Sequence, residues 1–141
     1  LNLPLGSEAD DDELYWLHRR LTVPVLEAFA PDLILISAGF DAHEHDTTAG
    51  QTITAGGFGR LAALIFAAAD RLCQGRCGLV LEGGYHLDGL TDSVAAVLAA
   101  ALDPGPFLEA PVAPPGGRLA VVLDQLVATH AASWPTLRAP G

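Results

Sequence analysis

The sequence contains few basic residues. Its 141 residues include seven arginines and no lysine against 17 aspartates and glutamates, so the formal net charge is −10. Direct binding of nucleic acid needs a basic patch that neutralises phosphates, and we therefore expect no nucleic-acid partner. The acidic balance would suit a cationic substrate such as a polyamine or a lysine-rich peptide, although solubility alone is the more frequent reason for such a charge.

Cysteine and long apolar runs are also scarce. Cys73 and Cys77 are the only cysteines, and a zinc finger would need a second pair of ligands. We expect two reduced, partly buried thiols in a cytoplasmic protein. No apolar run reaches the ~18 residues of a membrane-spanning helix, and the start lacks the features of a secretion signal, so we expect no membrane partner. Because the chain begins at Leu1 rather than methionine, we expect a fragment of a longer protein.

Two short apolar runs stand out in what the sequence does contain. Residues 33–36 are Leu-Ile-Leu-Ile, and residues 78–82 are Gly-Leu-Val-Leu-Glu. Both are too short for a helix and lack alternation, which is typical of strands buried on both faces of a parallel sheet. The first run leads to Asp41 and the second, through two glycines, to Tyr85. Ligands bind at the carboxyl edge of such sheets, so the two side chains would share one site if the strands are neighbours.

These two segments carry a family resemblance. Ser37 to His43 reads Ser-Ala-Gly-Phe-Asp-Ala-His, and Leu81 to Tyr85 reads Leu-Glu-Gly-Gly-Tyr. In this order they resemble two motifs of the zinc-dependent histone deacetylase family, above all its bacterial deacetylase-like amidohydrolases, acetylpolyamine amidohydrolases and class II deacetylases. The resemblance implies an α/β fold, namely the C-terminal part of an arginase/deacetylase-like open parallel sheet flanked by helices. It also implies hydrolysis of N-acetyl amides, with an acetylated lysine peptide or an acetylpolyamine as substrate.

The resemblance assigns roles to individual residues. Asp41 matches one of three protein ligands of a catalytic zinc ion, with iron(II) as a possible substitute. Tyr85 matches the phenol that donates a hydrogen bond to the developing oxyanion. The implied substrate-binding residues are Phe40, Thr48, Gly83 and Gly84, of which the two glycines would let the backbone approach the acyl-amine stem.

Much of the family's catalytic machinery does not occur in this chain. The family places an Asp-x-His ligand pair and a tandem His-His acid/base pair upstream of these motifs, and neither precedes Asp41 here. We expect the remaining zinc ligands upstream of this chain, and we expect the isolated chain to be inactive. The alternative is a non-catalytic remnant or interaction module without a full metal site.

The loop after Asp41 departs from the family pattern and leaves a local alternative open. Where the family commonly has Asp-Pro-Leu, residues 46–48 are Asp-Thr-Thr, so Thr48 would make the substrate wall smaller and more polar. Asp41, His43 and His45 alternate and could present metal ligands on one face of a strand. A short Asp/His-rich stretch is a weak compositional signal, and we expect both histidines to be solvent-exposed. No role is predicted for His86.

Helices flank the strands in the predicted order. Apolar spacing predicts helices at residues 11–29, 55–73, 87–101 and 118–132, with Pro24 kinking or dividing the first. Thr54 is the predicted N-cap of the second helix.

The prolines divide the chain into three parts. Residues 104–117 hold five of the ten prolines and predict a surface tether. Residues 1–103 would be the C-terminal part of the catalytic domain, and residues 118–141 a terminal helix and tail. Two strands are few for a parallel sheet, so we expect an exposed apolar sheet edge and consider a homo-oligomer possible.

Overall fold

The chain alternates helix and strand before it ends in a helical tail. The computed structural model describes residues 1–4 and 6–138. In chain order the elements are α1 (Asp11–Leu17), a π-helical segment (His18–Thr22), α2 (Val23–Phe29), β1 (Ile34–Ala38), α3 (Ala55–Cys73), β2 (Cys77–Leu81), α4 (Leu87–Leu102), α5 (Gly105–Leu108), α6 (Gly117–His130) and a 3-10 turn (Pro135–Arg138). The predicted order of helices and strands is confirmed, with ends that differ by one or two residues.

The first predicted helix is continuous but changes its pitch before the proline. The Val23 N–H donates to the His18 carbonyl, five residues back, instead of to the carbonyl four residues back. Pro24 follows at the start of α2 and has no N–H to donate. The π-helical segment therefore interrupts the α-helical hydrogen bonding directly before Pro24, which is where the helix was predicted to kink or divide.

The two strands pair in parallel. Ile34 lies opposite Cys77, and Ala38 lies opposite Leu81. α3 connects the end of β1 with the start of β2, as in a βαβ unit. The carboxyl ends of both strands consequently lie at one edge of the sheet, and the predicted parallel pairing is confirmed.

One face of this sheet is covered at β1 but only partly at β2, where Leu81 is 58% exposed, and the other face is open. Ile34 packs against Ile65 and Ala69 of α3, whereas Leu35 is 70% exposed and Val80 is 59% exposed. The prediction of strands buried on both faces is therefore wrong for the described residues. The apolar sequence of a strand allows burial on two sides, but here helices pack against one side only.

A groove runs along the uncovered edge of β1. Its volume is about 390 Å³, and its lining is mostly apolar, with Leu26, Leu35, Phe58 and Ile65 among the lining residues. His18 of the π-helical segment also faces this groove. The predicted exposed apolar sheet edge is thus present in this chain.

The C-terminal tail packs back onto the first helices. Leu17 and Leu21 form a buried cluster with Leu123 and Leu126 of α6. The predicted tether at residues 104–117 contains the short helix α5, so it is not wholly extended. Residues 139–141 of the predicted tail lie outside the described residues, and the division of the chain into three parts stays a prediction.

Two further features bear on the predictions from composition. Cys73 is buried, Cys77 is half-buried, and both are free thiols. Burial, with Cys73 as a second cause, raises the pKa of the Cys77 thiol.

Over residues 1–4 and 6–138, none of the helices combines the length and the apolarity needed to cross a bilayer.

Candidate active site

The loop after β1 is fixed by main-chain hydrogen bonds to the loop after β2. The Phe40 N–H donates to the Gly83 carbonyl over 2.8 Å, and the Glu82 N–H donates to the Ala38 carbonyl over 3.0 Å. The Phe40 ring is 5% exposed and lies 5.0 Å from the ring of Phe58, centroid to centroid. Phe40 therefore anchors the start of the loop in the core between α3 and α4.

The far end of the loop is tied to the N-terminal helix. The Asp11 carboxylate accepts hydrogen bonds from the Thr54 N–H at 2.8 Å and from its hydroxyl at 2.6 Å. The same Thr54 hydroxyl accepts from the Gly57 N–H at 3.1 Å, so Thr54 caps α3 as predicted. Both ends of the long loop are therefore held by side chains of the scaffold.

Asp41 lies half-buried between two glycines. A methyl group added to Gly39 would lie 2.9 Å from the Asp41 Oδ1 atom, and one added to Gly83 would lie 2.7 Å from it. These distances are shorter than a van der Waals contact, so the glycines make room for the carboxylate. Gly83 therefore makes room for the Asp41 carboxylate. The sequence did not reveal this role, which is separate from the predicted role of Gly83 in letting the substrate approach.

Tyr85 is presented to solvent at the same edge of the sheet. Its side chain is 74% exposed, as the two preceding glycines predicted. Gly84 adopts φ = +130°, a region that residues with a side chain rarely occupy. A candidate ligand, Asp41, and a candidate hydrogen-bond donor, Tyr85, thus come from loops that leave the sheet side by side.

Asp46 is buried between these loops, and its contacts with the second loop were not predicted from its place in the Asp/His-rich stretch. Its Oδ2 atom accepts from the Tyr85 N–H at 2.6 Å and from the His86 N–H at 3.2 Å, and its Oδ1 atom accepts from the Thr48 N–H at 2.9 Å. Hydrogen bonds from the Thr48 side chain first, and then from the Tyr85 N–H, lower the pKa of the Asp46 carboxyl to about 2. The group is therefore an anion at neutral pH, held by donors from both loops.

The histidines of the loop are placed differently from each other. His45 is exposed, as predicted, but His43 is only 5% exposed. Its ring lies parallel to that of His86, with centroids 6.5 Å apart, and a methyl group on Gly89 would lie 2.6 Å from its Nδ1 atom. The prediction of an exposed His43 is wrong, because pairing between His43 and Ile53 folds the loop over the start of α4.

His86 has a structural role that sequence reasoning missed. Its Nδ1 atom accepts from the Gly89 N–H at 3.1 Å, so His86 is the N-cap of α4. The available signal was its position directly before the apolar repeat of that helix. Glu82, by contrast, is exposed and accepts a 2.7 Å hydrogen bond from the Ser37 hydroxyl, which links the ends of the two strands.

The donor set does not complete a metal site within the part of the chain that the structure describes. Among the described residues, no three His, Cys, Asp or Glu side chains are grouped so that they could hold a metal ion. Asp41, His43 and His45 therefore do not form the local site that their alternation allowed. Asp41 remains a single candidate ligand, whereas a catalytic zinc ion needs three from protein.

Three of the predicted substrate-binding residues, Phe40, Gly83 and Gly84, are neighbours at this edge, and Thr48 lies farther along the loop after β1. Phe40 is buried in the core, Thr48 is exposed on the loop, and Gly83 and Gly84 lie between β2 and Tyr85. Their contacts with a substrate stay predictions.

Comparisons with known proteins give the family. The histone deacetylase domain matches residues 1–101. Histone deacetylase 10, chloroplastic, from Oryza sativa subsp. japonica is 45% identical over 102 residues, which are 72% of this chain and 23% of that protein. Polyamine deacetylase HDAC10 from Homo sapiens is 35% identical over 142 residues, or 98% of this chain and 20% of that protein. This chain therefore spans about a quarter or less of the length of these curated relatives.

The fold agrees with this match. The crystal structure of the HDA15 HD domain superposes with a TM-score of 0.77 at 29% sequence identity, covering 97% of this chain and 37% of that one. The α/β arrangement described above is thus part of an arginase/deacetylase-like fold. Since the domain match covers well over half of its residues, this chain belongs to the histone deacetylase family.

Proposed function

We propose that this chain is the C-terminal part of a zinc-dependent deacetylase domain that hydrolyses N-acetyl amides. One observation carries the proposal, namely that Asp41 and Tyr85 leave neighbouring parallel strands at their shared carboxyl edge. This is the edge at which α/β sheets bind their ligands. The domain match over residues 1–101 supports the same conclusion.

Tyr85 has the properties of an oxyanion donor. Attack of water on an acetyl amide places negative charge on the carbonyl oxygen, and a preorganised neutral donor stabilises that charge. The phenol of Tyr85 carries an O–H donor, and its side chain is exposed to an incoming substrate. We assign it the hydrogen bond to the developing oxyanion.

Asp41 would supply one of the three protein ligands of the metal. When bound, zinc or iron(II) provides a nucleophilic water and polarises the carbonyl group. The other ligands and the acid/base histidines would come from residues outside this chain. The uncovered edge of β1 supports this, because its apolar groove of about 390 Å³ is the kind of surface that further elements of a domain cover.

The substrate would be an acetylated lysine peptide or an acetylpolyamine. Both are amides of amines, and unacetylated amino groups elsewhere in either molecule are cationic. The net charge of −10 would attract such molecules, and one relative is named a polyamine deacetylase. A cytoplasmic location, the absence of nucleic-acid and membrane partners, and a homo-oligomer remain predictions from the sequence.

The second candidate is a non-catalytic interaction module. It is favoured by the single ligand at Asp41, since no metal-binding group forms within the described residues. The two candidates differ in metal content. A deacetylase purified as the full-length protein retains one zinc or iron ion per chain after dialysis, whereas the module retains none.

The decisive variant is Tyr85→Phe in the full-length protein. Loss of one oxyanion donor lowers kcat by about 10²- to 10³-fold, while KM for an acetylated substrate changes little, since the donor acts mainly in the transition state. Tyr15→Phe is the matched control, because Tyr15 is the only other tyrosine and is buried on α1. Unchanged kcat in Tyr85→Phe would show that the assigned mechanism is wrong.

A further inference from the structure

One carboxylate joins the two loops that form the candidate active site. Asp46 lies on the loop after β1, and its Oδ2 atom accepts the N–H groups of Tyr85 and His86 on the loop after β2. Its Oδ1 atom accepts the N–H of Thr48 on its own loop. Asp46 is only 6% exposed, so this is a buried anion with specific backbone donors, unlike the solvated carboxylates that an acidic chain presents.

The backbone is held on both sides of Tyr85, at Gly83 by the Phe40 N–H and at His86 as the N-cap of α4, and Asp46 holds the N–H of Tyr85 itself. β2 ends at Leu81, and the residues between include Gly84 in a conformation that favours glycine. The Tyr85 side chain is 74% exposed and so receives little packing. Hydrogen bonds to an ionised acceptor are shorter and about twice as strong as neutral ones, and the 2.6 Å bond from the Tyr85 N–H fits that description.

We infer that Asp46 is a positioning residue for Tyr85, holding its backbone so that the phenol is directed at the substrate carbonyl. The inference rests on the proposed function, in which Tyr85 donates to the oxyanion. The anchor acts at the Cα atom from which the phenol extends. A shift there is carried to the hydroxyl, and a misplacement of about 1 Å can cost ~10²-fold in rate.

The same contacts extend the inference to the predicted substrate wall. Since Asp46 also accepts the Thr48 N–H, one carboxylate joins the loop that carries Thr48 to the loop that carries Tyr85. Loss of the carboxylate removes this link, whereas loss of the Tyr85 hydroxyl leaves it in place. This difference allows the two roles to be separated by experiment.

The first test is a double-mutant cycle in the full-length protein. Asp46→Ala lowers kcat by about 10²-fold with less effect on KM, because the misplaced donor is needed mainly in the transition state. In the Tyr85→Phe background the same substitution changes kcat by less than about threefold, since the group it positions is already gone. Equal losses in the two backgrounds would overturn the inference and leave Asp46 with a general structural role.

Two further variants test whether the loss of kcat is specific to the hydrogen bonds of the Asp46 carboxylate. Asp46→Asn keeps one acceptor oxygen for Tyr85 and His86, and its kcat should lie between those of the wild type and Asp46→Ala. Asp103→Asn is the matched control, because Asp103 likewise accepts a backbone N–H two residues ahead but at an exposed site before α5. A loss of kcat in Asp103→Asn as large as that in Asp46→Asn would contradict a specific role.

The second test does not depend on activity. Amide hydrogen exchange of the peptide containing Tyr85 and His86 is followed by mass spectrometry. Both amides exchange slowly in the wild type and at least about tenfold faster in Asp46→Ala, because their acceptor is removed. Unchanged exchange overturns the inference. If Tyr85→Phe is fully active, the proposed function fails, and the exchange experiment alone decides whether Asp46 anchors this backbone.

Discussion

The carboxyl edge of the sheet and its open face are built from the same two strands but differ sharply. At the edge, backbone groups of two loops pair with each other, and Asp46 and His43 are buried. On the open face, Leu35 and Val80 are exposed although both are apolar. The comparison shows that the loops of the site are held by loop-to-loop hydrogen bonds and by the anchor Phe40, beside a sheet face that is open.

The largest expected effect contrasts Phe40 with Leu35. Phe40→Ala removes a buried ring packed on Phe58 and should lower the free energy of unfolding by about 3–5 kcal/mol. Leu35→Ala on the open face should cost this chain less than about 1 kcal/mol. Urea unfolding followed by circular dichroism measures both values.

The Leu35→Ala variant also tests the proposal that this chain is part of a larger domain. In the full-length protein, Leu35→Ala should cost about 2 kcal/mol or more, because the missing part of the domain would cover this face. If Leu35→Ala costs the same small amount in the full-length protein, the face remains open there. The proposal that further domain elements cover it would then be wrong.

A second, smaller effect should appear as a pH dependence of stability. Burial beside the groove lowers the pKa of His18 to about 4. As the pH falls, the unfolded chain therefore binds this proton at a higher pH than the folded chain does, because a free histidine has a pKa of about 6.5. The stabilising contribution is complete above that pH and is lost between pH ~6.5 and ~4, amounting to about 3 kcal/mol.

The measurement is urea unfolding at several pH values between 7 and 4. His18→Gln is the control, because it keeps a polar side chain but cannot titrate, and its stability should vary less across this window. An equal pH dependence in His18→Gln would assign the effect to other groups. A covered groove in the full-length protein should bury His18 further and steepen the dependence.

The smallest pair of effects compares two glycines. Gly83→Ala places a methyl group 2.7 Å from the Asp41 carboxylate and should destabilise the protein by about 1 kcal/mol while displacing that side chain. Gly56→Ala is the matched control, because Gly56 is an exposed residue of α3 and its added methyl group would meet only the Thr54 Oγ1 atom, at an ordinary contact distance of 3.4 Å. It should be neutral or stabilise by about 0.5 kcal/mol through the unfolded state.

Thermal unfolding of the two variants should therefore shift the midpoint in opposite directions, or leave it unchanged in Gly56→Ala. In the full-length protein, Gly83→Ala should also weaken metal retention, because Asp41 is the proposed ligand. Full metal retention in a destabilised Gly83→Ala would argue that Asp41 adjusts without loss of its role.

Much of the fold was predictable because its signals are local. The apolar runs identified β1 and β2, and Thr54 marked the start of α3. Pro24 marked the division of the first helix, because proline has no N–H to donate to a helical hydrogen bond in any tertiary context. The motifs likewise placed Asp41 and Tyr85 at strand ends, and the parallel pairing that brings them to one edge followed from the βαβ order of elements.

The sequence by itself determined the elements and the two candidate residues, whereas tertiary structure alone decided what surrounds them. The bond from Tyr85 to Asp46 joins residues 39 positions apart, and no local pattern pairs them. The burial of His43 depends on the loop folding over α4, which periodicity does not encode. The exposure of Leu35 has the same origin, because an apolar strand can be buried only where another element packs against it.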